Sequence, residues 1–317
     1  MRLLDTVRNG YVESWHDGSF VLLDRAGDVA VSSGPVDEPV FPRSSLKPLQ
    51  AVTLLECGFA GRDGSLALAS ASHDGEDVHI TGARATLAAA GLDESALQCP
   101  PDLPSGREAL LAWVGSGGRP ARICHNCSGK HAAMLATCVA ARWPIDTYRS
   151  PDHPLQQAIR ARIATLCSEP VRGVAIDGCG APAFAVSLLG LARAFAVLAA
   201  APSGVAREVA DAMRTFPRLI GGTGRAVTEL TAAVPGLVCK EGAEGVWAAA
   251  LPDGRAFAAK IDDGGMRALP PLLAAALQHW GVNNEVVARW AAVPVLGGGA
   301  PVGAITWSAD LQALLGL

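Results

Sequence analysis

The sequence predicts a mixed α/β (α+β) fold in which strands from both ends of the chain form one antiparallel sheet and helices fill the middle. Three observations lead there. Near the start, β-prone stretches at 10–15, 19–24 and 28–32 are separated by the turn clusters His16-Asp17-Gly18 and Arg25-Ala26-Gly27. Toward the end, 245–251 and 255–261 flank Pro252-Asp253-Gly254, a hairpin signal. Between them, helical patterning dominates from about 44 to 143. A sheet from both termini around a helical insertion accommodates that order.

The elements follow in turn. Ser105-Gly106-Arg107-Glu108 has capping-box spacing ahead of a helix over 109–114. Gly91 closes the Ala-rich helix before it, as a C-terminal glycine does. Asp152-His153-Pro154 opens a helix ending near Cys167. The β-branched run 171–176 predicts a buried strand that ends in Asp177-Gly178-Cys179-Gly180. Helices are predicted over 182–198 and 203–215, and the tail after 261 reads as helical again. There is no internal repeat and no obvious linker, so the reading is a single unit over 1–317.

Half of the 317 residues are hydrophobic, enough to bury a sizeable core. A net charge of −4 with scattered Lys and Arg gives no global field for nucleic acid or an anionic membrane. The first residues lack an apolar h-region, so a cytoplasmic location is expected. The apolar stretch 195–202 is far shorter than a membrane span. In such a chain the eight cysteines are expected as reduced thiols, several of them packed as small hydrophobes.

Five segments carry candidate chemistry. Arg43-Ser44-Ser45-Leu46-Lys47-Pro48 contains an S-x-x-K. With Ser44 at a helix N-cap, Lys47 would lie one turn on and Pro48 at the fourth position, where its missing N–H is tolerated. Taken alone, a capping serine followed by an exposed lysine is the plainer account. Ser72 and His73 lie in a polar run over 70–79 that a helix cap explains equally well. His125-Asn126-Cys127-Ser128-Gly129-Lys130-His131 places Cys127 at a helix N-terminus, where backbone N–H groups acidify a thiol. Cys124 and Cys127 form a C-x-x-C, but without a second one a closed four-cysteine zinc site has little support. Ser-Gly-Lys also lacks the upstream glycine and trailing hydroxyl of a P-loop. Asp177-Gly178-Cys179-Gly180 presents a thiol and a carboxylate at a strand end. Lys260 closes a strand, where it faces either solvent or a cleft.

In this order, these segments resemble the rhizobial-type (thermolabile) L-asparaginase II family, from Val12-Glu13-Ser14 through the Lys260 segment and so over nearly the whole chain. The resemblance implies a fold like the serine β-lactamases and penicillin-binding proteins, and hydrolysis of L-asparagine to L-aspartate and ammonia. It implies the serine–lysine pairs Ser44 with Lys47 and Ser72 with Lys260. It implies a zinc ion on Cys127, Lys130 and Cys179, and a homodimer. Arg43, Asp177 and His131 are the expected substrate-binding residues.

Amide hydrolysis needs an activated nucleophile, a base and a proton for the departing ammonia. Ser44 is the favoured nucleophile on this reading, because acylating serines are known in helix-borne S-x-x-K motifs. A glutaminase or broader amidase would use the same machinery. A β-lactamase is disfavoured by the lack of S-D-N and K-T-G triplets. A zinc-stabilised amino-acid-binding protein would need the cysteines but not the serine–lysine pairs.

Overall fold

The computed structural model describes residues 1–317. The chain forms two compact units. One comprises Met1–Ser45, Val186–Ala200 and Glu229–Leu317; the other comprises Leu46–Ala185 and Ala201–Thr228.

The strands in chain order are β1 (Arg2–Arg8), β2 (Tyr11–Leu23), β3 (Val29–Ser33), β4 (Pro39–Val40), β5 (Gly173–Ile176) and β6 (Pro182–Ser187). They continue with β7 (Val238–Gly242), β8 (Val246–Ala250), β9 (Ala256–Ile261), β10 (Val293–Gly297) and β11 (Ala300–Trp307). The first unit is built on one sheet of order β10-β11-β1-β2-β9-β8-β7, with β3 also paired to β2. Every pairing is antiparallel. The sheet thus joins both ends of the chain, with Thr6 opposite Ile305 and Ser19 opposite Lys260. The helix Leu188–Ala200 lies on β2, β8 and β9. It buries Leu191, Ala194, Phe195 and Leu198 against strands whose own residues, such as Val21, Ala248 and Phe257, are also buried.

Four local expectations are corrected here. His16-Asp17-Gly18 makes no turn, because β2 runs through it without a break. Gly18 instead marks a close approach of backbones: a Cβ there would collide with the Lys260 carbonyl and with Leu3 Cδ1. Gly18→Ala is therefore expected to destabilise the protein by about 1–3 kcal/mol, read as a lower urea midpoint at unchanged slope. Residues 182–187 form the buried strand β6, and the helix starts only at Leu188. A short apolar run cannot be assigned by periodicity alone; here pairing with β5 decides it. β5 itself is not buried, for Val174 and Ile176 are 40% and 80% exposed. The tail carries the expected helices, at Leu269–His279, Glu285–Trp290 and Ala309–Leu315, but it also holds the hairpin β10–β11, with Gly298 and Gly299 at positive φ between its strands. Pro294 is tolerated because β10 lies at the sheet edge, where a missing N–H costs no ladder bond.

The second unit is mainly helical: α1 (Lys47–Glu56), α2 (Asp63–Ala69), α3 (Asp77–Ala89), α4 (Arg107–Gly115), α5 (Ser128–Ala141) and α6 (Pro154–Cys167). In α1 every residue from Lys47 to Leu55 is buried, and in α5 every residue from Ser128 to Leu135. These two are the unit's interior. α5 packs on α1, α2 and α3, and α6 packs on α1. α6 begins as expected, with His153 as N-cap accepting from the Leu155 N–H and Pro154 following it. The capping box lies elsewhere than expected. Gly106, with no side chain to offer, caps α4, while Glu76 and His79 cap α3 reciprocally. No single helix is long and apolar enough to cross a membrane.

Candidate active site

Ser44 is not an N-cap. It lies in the 3₁₀ turn Arg43–Leu46, and α1 starts at Lys47 with Leu46 at the cap position. Pro48 consequently falls in the first turn rather than at the fourth position, where its fixed φ suits the helix and its missing N–H has no partner to lose. The turn is entered through Arg43 at φ 54, a left-handed conformation uncommon for a non-glycine residue. In the same unit Ser45 is fully buried, and its hydroxyl donates to the Lys240 carbonyl at 3.0 Å. Lys260 is half-buried, its ammonium donating to the Glu244 and Ile261 carbonyls at 2.6 Å each.

In the helical unit, Lys47 is 1% exposed. Its amine meets the Ser72 hydroxyl at 3.0 Å and the Ala71 carbonyl at 2.5 Å. Ser72 sits in the segment between α2 and α3, held by its own N–H to the Ile220 carbonyl at 2.9 Å. A hydroxyl and a buried amine are therefore within proton-transfer distance, and no carboxylate is among the amine's hydrogen-bond partners.

A second cluster forms at the N-terminus of α5. Cys127 is its N-cap, Lys130 lies in its first turn, and Cys179 sits in the turn after β5. All three are buried. The two thiols influence each other, which drives their acidities apart. Cys127 holds its proton well above the ordinary thiol range because of its interaction with Cys179 and its burial, and its S–H donates to the Asn126 side-chain carbonyl at 3.1 Å. Cys179 is driven far below that range, foremost by Cys127, with Lys130 adding to it against the cost of burial. Lys130 Nζ donates to Cys179 at 3.1 Å. Burial alone would lower the Lys130 pKa, but Cys179, Cys127 and Asp177 together raise it.

His131 sits beside this pair. Its Nδ1 is 2.6 Å from the Tyr148 hydroxyl, which already accepts the Gln98 N–H at 3.2 Å. Tyr148 is fully buried, so its O–H requires an acceptor, and Nδ1 is the one within reach. Tyr148 therefore donates, leaving the proton of the neutral imidazole on Nε2. Burial brings the His131 pKa down to about 4, although Cys179 is close enough to oppose the shift. Nε2 itself makes no hydrogen bond of ordinary geometry. Nothing in the sequence marked Tyr148. Its only distinction there is being one of two tyrosines in the chain.

The donor set can be tested against zinc. No group of three or more His, Cys, Asp and Glu side chains is arranged to hold a metal ion. Two buried cysteines that influence each other's acidity, with an amine 3.1 Å from one of them, still make a soft N/S donor set of the kind zinc accepts, and an imidazole nitrogen without a hydrogen-bond partner lies next to them. Cys127 and Lys130 both carry protons as they stand, so loading a metal would release them.

The L-asparaginase II family profile matches residues 4–307, and the chain belongs to that family. Among solved structures, Mglu in its native form matches with a TM-score of 0.46 at 14% identity, over 84% of this chain and 65% of that one. A β-lactamase from Mycobacterium bovis matches with a TM-score of 0.47 at 17% identity, over 83% of this chain and 94% of that one. The chain thus spans less than two thirds of the length of Mglu. No curated protein sequence matches it.

Proposed function

We propose that the protein is an L-asparaginase, hydrolysing L-asparagine to L-aspartate and ammonia by serine–lysine chemistry. Family membership supports the class of reaction. The observation that carries the mechanism is the 3.0 Å contact between Lys47 Nζ and Ser72 Oγ. Lys47 donates to the Ala71 carbonyl, and on giving up one proton its amine would present a lone pair to the Ser72 hydroxyl. Ser72 Oγ attacks the side-chain amide carbon, and its proton passes through Lys47 to the departing nitrogen, which leaves as ammonia. Water then cleaves the acyl ester, with Lys47 accepting its proton, to give aspartate and free Ser72. This assigns the nucleophile to Ser72 rather than Ser44, because Ser72 is the serine in contact with a buried lysine.

Ser44 and Lys260, which the resemblance pairs with Lys47 and with Ser72, are the remaining members of the serine–lysine set, and Arg43, Asp177 and His131 the substrate-binding part, with Arg43 for the α-carboxylate. Zinc would be held by Cys127, Lys130 and Cys179, where its charge would orient a polar group of the substrate. These assignments rest on family resemblance, together with the N/S donor set for the metal. A homodimer is proposed on the same footing.

The test is ammonia release from L-asparagine by the purified protein beside Ser72→Ala and Ser44→Ala, with L-glutamine as control substrate. Turnover of asparagine that vanishes in Ser72→Ala is the expected result. Turnover that survives there and vanishes in Ser44→Ala would move the nucleophile. A preference for glutamine would make the protein a glutaminase, and no turnover of either substrate would overturn the reading.

A further inference from the structure

The segment 71–76 that carries Ser72 is clamped from two sides by backbone bonds. The Ser72 and Asp74 N–H groups reach the Ile220 and Gly221 carbonyls at 2.9 and 2.7 Å, and the His73 N–H reaches the Asn126 carbonyl at 3.1 Å. The side chain between these anchors is His73, fully buried. The Gly75 N–H donates to its Nδ1 at 3.2 Å, so that nitrogen carries no proton. The proton of the neutral ring is on Nε2, which lies 3.0 Å from Ser128 Oγ and donates to it. Ser128 is the first residue of α5, directly after Cys127 and two before Lys130.

His79 stacks on His73 with ring centroids 4.9 Å apart and planes 10° apart. It is wired the same way. Nδ1 accepts from the Glu76 N–H, and Nε2 donates to the Arg218 carbonyl, each at 3.0 Å. An apolar side chain could fill the room of either ring. What the imidazole of His73 adds is a defined separation between residue 73 and residue 128.

From this geometry we infer that His73 is a positioning residue: through Ser128 it fixes the Ser72 segment against the N-terminus of α5. The inference rests on the reading that Ser72 belongs to the reaction site. Removing the tie leaves Ser72 and Lys47 in place chemically but lets their separation wander, which reduces turnover with little effect on substrate affinity. Burial holds the His73 pKa well below its usual value, with His79, Lys47 and His125 acting in the same direction, which keeps the ring in the neutral form the tie requires.

The test uses His73→Asn, whose side chain can still accept from Gly75 but is too short to reach Ser128, and His73→Gln, which can reach it. Ser128→Ala and the double variant with His73→Asn complete a cycle. His73→Asn and Ser128→Ala are each expected to lower kcat on the order of tenfold to a hundredfold with KM changed less than about twofold. His73→Gln should recover most of the loss, and the double variant should be no worse than the poorer single one. Unchanged kcat, or losses that multiply in the double variant, would overturn the inference. Amide hydrogen exchange at Ser72 and Asp74 provides a readout independent of substrate. Protection should fall in His73→Asn and Ser128→Ala alike and be restored in His73→Gln. Unchanged protection would overturn the inference, even were the wild type inactive on asparagine; inactivity with the exchange pattern intact would overturn the assigned reaction alone.

Discussion

Lys47→Met is expected to abolish turnover, lowering kcat/KM by about a thousandfold or more, because in the proposed mechanism it removes the base that activates Ser72 and the carrier of the leaving-group proton. Methionine is close to the lysine stem in volume, and the site is 1% exposed. The amine's partners are one carbonyl and one hydroxyl, and the carbonyl, Ala71 O, loses a single donor. The variant should therefore fold, with a urea midpoint near that of the wild type. This separates a chemical loss from a structural one. Lys260→Met should cost less activity, because the Lys260 amine is engaged by two backbone carbonyls. A Lys47→Met protein that still releases ammonia from asparagine at more than about one hundredth of the wild-type rate would remove Lys47 from the role of base.

The second large effect is on stability against acid. His73 and His79 are buried, and burial is the main cause that lowers both pKa values below the ordinary histidine value of 6.5. His125 and His131 shift the same way for the same cause. In His73, His79 and His125 the reason is visible in the bonding: a backbone N–H, from Gly75, Glu76 and Cys127 respectively, points at Nδ1, and a second proton there would expel it.

The sign follows from linkage. A histidine with a lowered folded-state pKa takes up its proton more readily when unfolded. Its stabilisation is complete above pH 6.5 and is lost as the pH falls toward the folded-state value. Each such proton contributes a slope of up to about 1.4 kcal/mol per pH unit in that window. Carboxylates with lowered pKa, such as Glu76 and Asp263, act below their ordinary values of 4.5 and 3.8. Their window lies under that of the histidines. Urea unfolding between pH 7.5 and 5 is expected to show a steep fall in stability, with net uptake of more than one proton. A flat profile over that range would contradict the neutral, backbone-bonded imidazoles.

Much of the fold was legible because its signals are local. His153-Pro154 opens α6 by supplying a cap and a fixed φ, Gly91 follows α3 at φ 72, and Pro252-Asp253-Gly254 joins β8 to β9. Patterning of helices between terminal strands was enough for a sheet shared by both ends. Where sequence and structure part, the cause is shared. β6 carries a helix-like pattern, β10 and β11 lie in a tail of helical composition, and Gly18 stands in a turn-like cluster, because each depends on a partner strand distant in sequence. A run such as Pro182-Ala183-Phe184-Ala185-Val186-Ser187 has no period of its own to declare.

The sequence by itself determined the candidates for chemistry: the hydroxyls, amines and thiols of Ser44, Lys47, Ser72, Cys127, Lys130, Cys179 and Lys260 are there in a recognisable order. Only the tertiary structure decided how they are arranged. It set Lys47 against Ser72, parted the acidities of Cys127 and Cys179, and fixed the tautomers of His73 and His131 through Gly75, Ser128 and Tyr148. The physical reason is that residue type and spacing are local, whereas a proton's position depends on which donors and acceptors the fold brings within about 3 Å and shields from water.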